Sequence, residues 1–298
     1  MKYYSIMTLT PSKLQYIRPD GIDDAIEILS SNDANIKVLG GGQSLIPLLK
    51  TRIVKVEKLV DIGNIESLNY IKSKSGEIRI GAATRISQLV ESELIQKRIP
   101  ALYDACVMIA DPLVRNMGTV GGNISHADPG NDIPVVALAL GATIVAVGKS
   151  GERVIAPEDF FKGPFETSLS YGEIVREIVF PDMQKNQGSS FTKVKKMSGD
   201  FSVATSASFV TTDEGGSIKT ARIAVSSATP VPTRLMDMEN YVTGKKINDA
   251  ILDHVRKNVT NGLDIMEDQT IDPNFRKYCV SDSAMKSLEK AYGRAIGR

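Results

Sequence analysis

Among its 298 residues the chain has no tryptophan, two cysteines and two histidines, and each shortage removes a class of chemistry. Cys106 and Cys279 stand far apart in no CxxC pattern. Four thiolates normally hold an iron–sulfur cluster, so this chain carries none alone, and a Cys-rich zinc centre is excluded by the same count. Cys106 lies in an apolar stretch and reads as a buried, inert thiol. His126 and His254 are too few for a histidine-based metal site, and His254 reads as a helix-surface residue. An excess of one charge is also missing: 36 basic and 35 acidic side chains leave a net +1. Nucleic acid is therefore not expected as a partner, because phosphate binding needs a basic excess on at least one face. Lys193, Lys195 and Lys196 form too short a basic run to change that, and read as an exposed strand face. No apolar run approaches the ~18 residues of a membrane span, and the opening MKYYSIMTLTPSK lacks the apolar centre of a secretory leader. A reduced cytoplasmic protein without a transmembrane segment is expected.

What is present is an ordinary globular balance, 42% hydrophobic and 24% charged, enough for a core without disulfides or structural metals. The length suits two domains of roughly 100–200 residues. Ile22, Ala25, Ile26 and Leu29 repeat at helical spacing behind Asp20 and Gly21. Residues 36–39 form a short apolar run that stops at three glycines, and a helical turn follows over 45–49. Strands are predicted over 54–56 and 58–61, and a hairpin over 68–71 and 77–80 around Lys74-Ser-Gly76. Helices are predicted over 84–94, with Ser87 as cap, and over 100–109 and 134–140. The stretch 111–132 is rich in Gly, Asp, Asn and Pro; its embedded apolar residues make it an ordered, functional loop. Strands follow at 142–147 and 173–180. After the polar stretch 181–190 come three antiparallel strands at 191–194, 202–211 and 218–226, with Glu214-Gly-Gly216 as a turn, and helices over 248–259 and 282–296. The expected class is α+β in two parts, residues 1–183 and 184–298, the first divided at about residue 57.

Two glycine-rich segments carry the chemistry. Gly40, Gly41, Gly42, Gln43 and Ser44 follow a strand, where glycines expose backbone N–H groups and let the chain approach a phosphate. This is not a Rossmann fingerprint: the third glycine of GxGxxG would fall on Leu45, and no acidic residue follows at the expected place. Alone, such a turn is more often only a turn. Gly118, Thr119, Val120, Gly121, Gly122 and Asn123 form a second small-residue stretch, and 128–132 (DPGND) lead into the next helix. Asp132 reads first as an N-cap. A carboxylate repels a pyrophosphate, so any ligand contact of Asp132 accepts from hydroxyls or ring N–H groups. Two glycine-rich loops on separate elements suit a ligand with two recognisable parts, such as a dinucleotide.

The segments 38–47 (VLGGGQSLIP) and 109–123 (IADPLVRNMGTVGGN), together with 128–132 (DPGND) and 195–201 (KKMSGDF), resemble the FAD-binding medium subunit of the molybdenum hydroxylases. That group includes xanthine dehydrogenase, aldehyde oxidoreductases and aerobic carbon monoxide dehydrogenase, and the likeness is strongest to the carbon monoxide dehydrogenase type, over essentially the whole chain. The resemblance implies a fold of the vanillyl-alcohol-oxidase type, two α/β subdomains clasping FAD, then a C-terminal sheet with helices. It implies that Gly40 to Ser44, flanked by Leu39 and Leu45, and Gly118, Thr119, Gly121, Gly122 and Asn123 hold the pyrophosphate and its neighbourhood. Ile109 and Ala110 would line the flavin pocket, Asp132 would hydrogen-bond the cofactor, and Phe201 would sit beside the ring, where that branch often has Tyr. Lys193 and Lys195 share a strand face from which one could approach the ring. The implied role is electron transfer within a heterotrimer, from the [2Fe–2S] clusters of a small subunit, fed by a molybdopterin-containing large subunit, to an external acceptor. Carbon monoxide or aldehyde oxidation is the implied overall reaction. Two cysteines exclude the [4Fe–4S] insertion of benzoyl-CoA reductase-like members. No residue is nominated as a general acid or base. A free-standing flavoprotein oxidoreductase of the same fold and a flavin-free scaffold subunit are the competing readings.

Overall fold

The structure is a computed structural model that describes residues 14–31, 35–267 and 270–297. The chain begins with a small parallel sheet in the order Gln15–Ile17, Lys58–Asp61, Ile36–Leu39. The helix Ile22–Leu29 buries Ala25, Ile26 and Leu29, as its apolar spacing requires, and carries Asp23 and Asp24 in its first turn. The expected strand over 54–56 does not form. Val56 instead packs with Leu49 and Leu59 in a small cluster beneath the helix Leu45–Lys50.

A second sheet of five antiparallel strands runs Ile71–Lys74, Glu77–Gly81, Ile174–Pro181, Thr143–Gly148, Gly151–Ile155. Its first hairpin turns through Ser75 (φ 53°) and Gly76 (φ 79°), the left-handed pair of a two-residue turn. The strand begins at Ile71 rather than Leu68, because Leu68 ends a short helical turn over Glu66–Leu68 and is fully buried.

Helices from Ile86 to Leu140 lie between this sheet and a third one. The single helix expected over 84–94 is two, Ile86–Glu91 and Glu93–Arg98. Ser87 caps neither: the Arg85 N–H donates to Gln88 Oε1, and Ser92 caps the second helix by accepting the Ile95 N–H. The stretch 111–132 also departs from expectation, holding the helices Pro112–Met117 and Val120–His126. Asp111 and Thr119 cap them through Val114 and Gly122 N–H, so a helix start with glycines in its first turn has the composition of a loop. The helix Ile133–Leu140 is buried at every residue.

The third sheet is antiparallel, in the order Gln187–Lys195, Ser202–Thr212, Ile218–Ser226, Thr233–Arg234. Phe191, Ala207 and Ala224 join the core around Ile133–Leu140, whereas Ala204, Val210 and Ile223 join a second core with the long helix Pro273–Ala295. Both faces of the central strand are therefore covered. Gly188 lies so near that helix that a Cβ on it would stand 2.5 Å from Ala295 N. Cys106 is fully buried and its pKa is raised by that burial, which bears out its reading as an inert thiol. His254, on the helix Asp249–Asn258, stacks on Tyr241 at 3.7 Å between ring centroids. Among the described residues there is no His, Cys, Asp and Glu cluster suited to a metal, and no helix long and apolar enough to cross a membrane.

Candidate functional site

The two glycine segments meet main chain to main chain. A Cβ on Gly40 would stand 2.8 Å from Thr119 Oγ1; one on Gly41 would stand 2.6 Å from Gly118 Cα and closer still to Met117 O. Gly42 has φ 73°, where only glycine is unstrained. The second segment is pinned in turn by Ile86 N–H to Gly118 O (2.9 Å) and Val120 N–H to Thr84 O (3.0 Å). Between the segments opens a cavity of about 420 Å³, walled by Leu39 to Gln43 on one side and Met117 and Thr119 on the other. Lys50 and Arg85 stand on its wall, against one carboxylate, Asp61. That carboxylate is already engaged: it accepts from the Tyr16 hydroxyl, from Gly63 N–H at 2.9 Å and from Asn64 Nδ2 at 3.5 Å. The bond to Asp61 is also the main cause of the raised Tyr16 pKa. Backbone walls and two cations, with the one carboxylate turned to donors of the protein itself, suit an anionic, elongated ligand.

Lys50, Asp61, Gly63, Asn64 and Arg85 were not singled out from the sequence. The available signal was topological: Asp61 to Asn64 leave the C-terminal end of a parallel strand beside the glycine turn, the end at which such sheets bind ligands. Arg85 gave no signal; its Nη1 donates to Asn116 O at 2.9 Å, and this fold-dependent bond places it at the cavity.

A second group lies further along the helix Val120–His126. Gly121 is used for packing, its N–H donating to Ala82 O and its missing Cβ leaving room for Ala82 Cβ, 2.5 Å from where that atom would be. Gly122 is exposed and gives its N–H to the Thr119 cap. One residue on, Asn123 has a buried Oδ1 with no hydrogen-bond partner among the described residues, and the same holds for Asp132 Oδ1. Asn131 Nδ2 donates to Asn123 O at 2.8 Å and so ties these two segments together. Asp132 makes no capping bond; its Oδ2 accepts from Lys193 Nζ at 2.7 Å, and the two side chains are 4% and 3% exposed. The reading of Lys193 as part of an exposed strand face is thus corrected, because the helical layer covers that face. Burial raises the Asp132 pKa to about 6 against the pull of Lys193 and Lys195.

Ile109, Ala110 and Phe201 do not line the glycine cavity. Ile109 is nearly buried and its carbonyl accepts Arg115 Nη1 at 2.7 Å; Ala110 is held at φ 40°, uncommon for a non-glycine residue. Phe201 is 66% exposed, with a ring carbon 3.0 Å from the Cβ position of Gly130, beside the Asp132 group. Ser44, Leu45 and Gly118 flank the cavity.

Residues 12–183 match the family model for the FAD binding domain in molybdopterin dehydrogenase, and residues 189–291 that for the CO dehydrogenase flavoprotein C-terminal domain. The chain belongs to this family of FAD-binding subunits. The glyceraldehyde dehydrogenase medium chain of Sulfolobus acidocaldarius is 35% identical, covering 94% of this chain and 99% of that one. The carbon monoxide dehydrogenase medium chain of Hydrogenophaga pseudoflava is 30% identical, covering 96% and 99%. The solved structure of quinoline 2-oxidoreductase from Pseudomonas putida 86 superposes with a TM-score of 0.91 at 26% identity, covering 96% and 99%. The site fits the family's FAD: the cationic, backbone-walled cavity suits a diphosphate, and the unpartnered oxygens of Asn123 and Asp132 suit a ligand bearing hydroxyl or N–H donors.

Proposed function

We propose that this chain is the FAD-carrying electron-transfer subunit of a heterotrimeric molybdenum hydroxylase. It would take electrons from the [2Fe–2S] clusters of a small subunit, which a molybdopterin-containing large subunit feeds, and pass them to an external acceptor. The observation that carries this reading is the backbone-to-backbone meeting of the two glycine segments beside a cationic cavity. Gly40 to Gln43, Thr119, Lys50 and Arg85 would hold the diphosphate. Asn123 and Asp132 would accept from donors of the cofactor, with Ile109, Ala110 and Phe201 near its ring system. Bound FAD supplies a two-electron store that fills and empties one electron at a time; the protein supplies position and polarity.

We assign the described fold to the vanillyl-alcohol-oxidase type, with subdomains over about 1–57 and 58–183 and a C-terminal domain over 184–298. The parallel sheet and the five-stranded antiparallel sheet support two subdomains, with the boundary moved to just after Asp61, because Lys58–Asp61 is the central strand of the first sheet. The relatives named above are medium chains of a glyceraldehyde dehydrogenase and a carbon monoxide dehydrogenase, and a quinoline 2-oxidoreductase. Aldehyde or carbon monoxide oxidation remains the proposed overall reaction, from the two medium-chain relatives.

The test is the visible spectrum of the purified chain with added FAD, followed by co-purification from its native host. A flavin band and two partner chains carrying iron, sulfide and molybdopterin are expected. A flavin-binding chain that turns over substrate alone would instead establish a free-standing oxidoreductase, and a colourless native complex a scaffold subunit.

A further inference from the structure

Lys193 and Asp132 form the one ion pair among the described residues in which both side chains are less than a tenth exposed. Burying two charges is costly unless every lone pair finds a donor, and a pair serving only to tie sheet to helix would be expected to satisfy both carboxylate oxygens. Here Oδ2 is clamped by Lys193 Nζ at 2.7 Å while Oδ1 is buried without a donor. A second acceptor, Asn123 Oδ1, is buried and unpartnered on the segment that Asn131 ties to Asp132. Two such oxygens, on segments that Asn131 ties together, point to a ligand that brings the donors.

We propose that Lys193 is a positioning residue, whose ammonium holds Asp132 by Oδ2 as a carboxylate so that Oδ1 accepts a hydrogen bond from a hydroxyl or ring N–H of bound FAD. The proposal rests on the FAD reading above. The surroundings leave Lys193 as the main counter-charge. On its own strand Lys195 adds a weaker attraction. On the helix Pro100–Met108 the neighbouring ionisable group is Cys106, a thiol kept neutral by burial, while Asp104 is turned to Lys290 and Arg294. The strand Ser202–Thr212 and the helix Ile133–Leu140 carry no ionisable side chain. On the helix Val120–His126, His126 lies toward Asp128, 3.8 Å away, and its pKa is lowered chiefly by burial. Arg222 and Glu158 meet the far end of the buried helix, at Leu138. With Asp132 titrating at about 6, its ionised fraction falls roughly tenfold between about pH 7 and pH 5.

The experiment measures FAD affinity of the full chain by fluorescence quenching across about pH 5 to 8, with thermal melts to establish folding. Wild type is expected to lose up to about tenfold in affinity as pH falls through about 6. K193R should keep that profile. K193M should bind about tenfold more weakly at neutral pH and recover only at higher pH, because its carboxyl holds its proton longer. The double variant D132N/K193M has no charge to bury and keeps an acceptor carbonyl; its affinity should be flat with pH, and it carries the test if K193M does not fold. A folded K193M with wild-type affinity and pH profile, or a double variant that still titrates as wild type does, overturns the role of Lys193. Wild type that binds no FAD at any pH overturns the cofactor reading itself.

Discussion

At Gly41 the wall of the cavity is backbone, and a single added carbon would collide with Gly118 and Met117. At Asp132, outside that cavity, the surface is side chain, and what matters is which oxygen has a donor and which has none. The first wall works by shape and depends on absent atoms. The second works by charge and depends on a partner from another sheet. Shape is unforgiving of bulk but indifferent to pH, whereas the charged surface should tolerate conservative exchange and respond to pH.

That contrast breaks most sharply at Gly41. Gly41→Val is expected to abolish FAD retention and to lower the melting temperature, whereas Gly21→Ala, with nothing within 4 Å of its Cβ position, should leave both unchanged. A G41V chain that melts normally and retains its flavin band would show that the segments do not need their close approach. Next in size is Gly121→Ala, whose Cβ would press on Ala82; overpacking of this kind costs about 1–3 kcal/mol. Urea unfolding should show that loss, with FAD affinity changing less than stability because Gly121 serves packing. Thr119→Ala removes the cap that accepts Gly122 N–H and should cost ~1 kcal/mol by the same measurement. Lys50→Gln should weaken FAD binding by about threefold and flatten its salt dependence, as expected of an exposed cation near a diphosphate; an unchanged salt slope would remove Lys50 from the ligand's field. The smallest effect is expected from Phe201→Tyr, exposed and packed on Gly130, with stability altered by less than ~0.5 kcal/mol and a flavin spectrum close to that of wild type.

The two surfaces also differ in how far they could be read from sequence. Consecutive glycines after an apolar run announce a turn that needs backbone approach, and the small residues around Gly121 announce a second one. Their composition misled only about local structure. Asp111-Pro112 and Thr119 are helix starts, and glycine, a poor helix former, occupies the first turn of Val120–His126 because Ala82 leaves no room for a side chain. Lys193 was hidden more thoroughly. A lysine two residues from another on a strand has the period of a solvent face, and only segments from much earlier in the chain, the helix Pro100–Met108 packed on that strand and Asp132 set on the lysine itself, cover it.

Local sequence settled what local physics controls: the apolar period of Ile22–Leu29, the strand that stops at Gly40, the Ser75-Gly76 hairpin, and the absence of thiols and imidazoles for a metal centre. The tertiary structure alone decided where distant segments meet. It brought Asp61 and Arg85 to the glycine cavity, set Lys193 on Asp132, and left two acceptor oxygens without donors. Those outcomes depend on which layers cover which faces, and burial of a charge is a property of the packed chain that no single segment encodes.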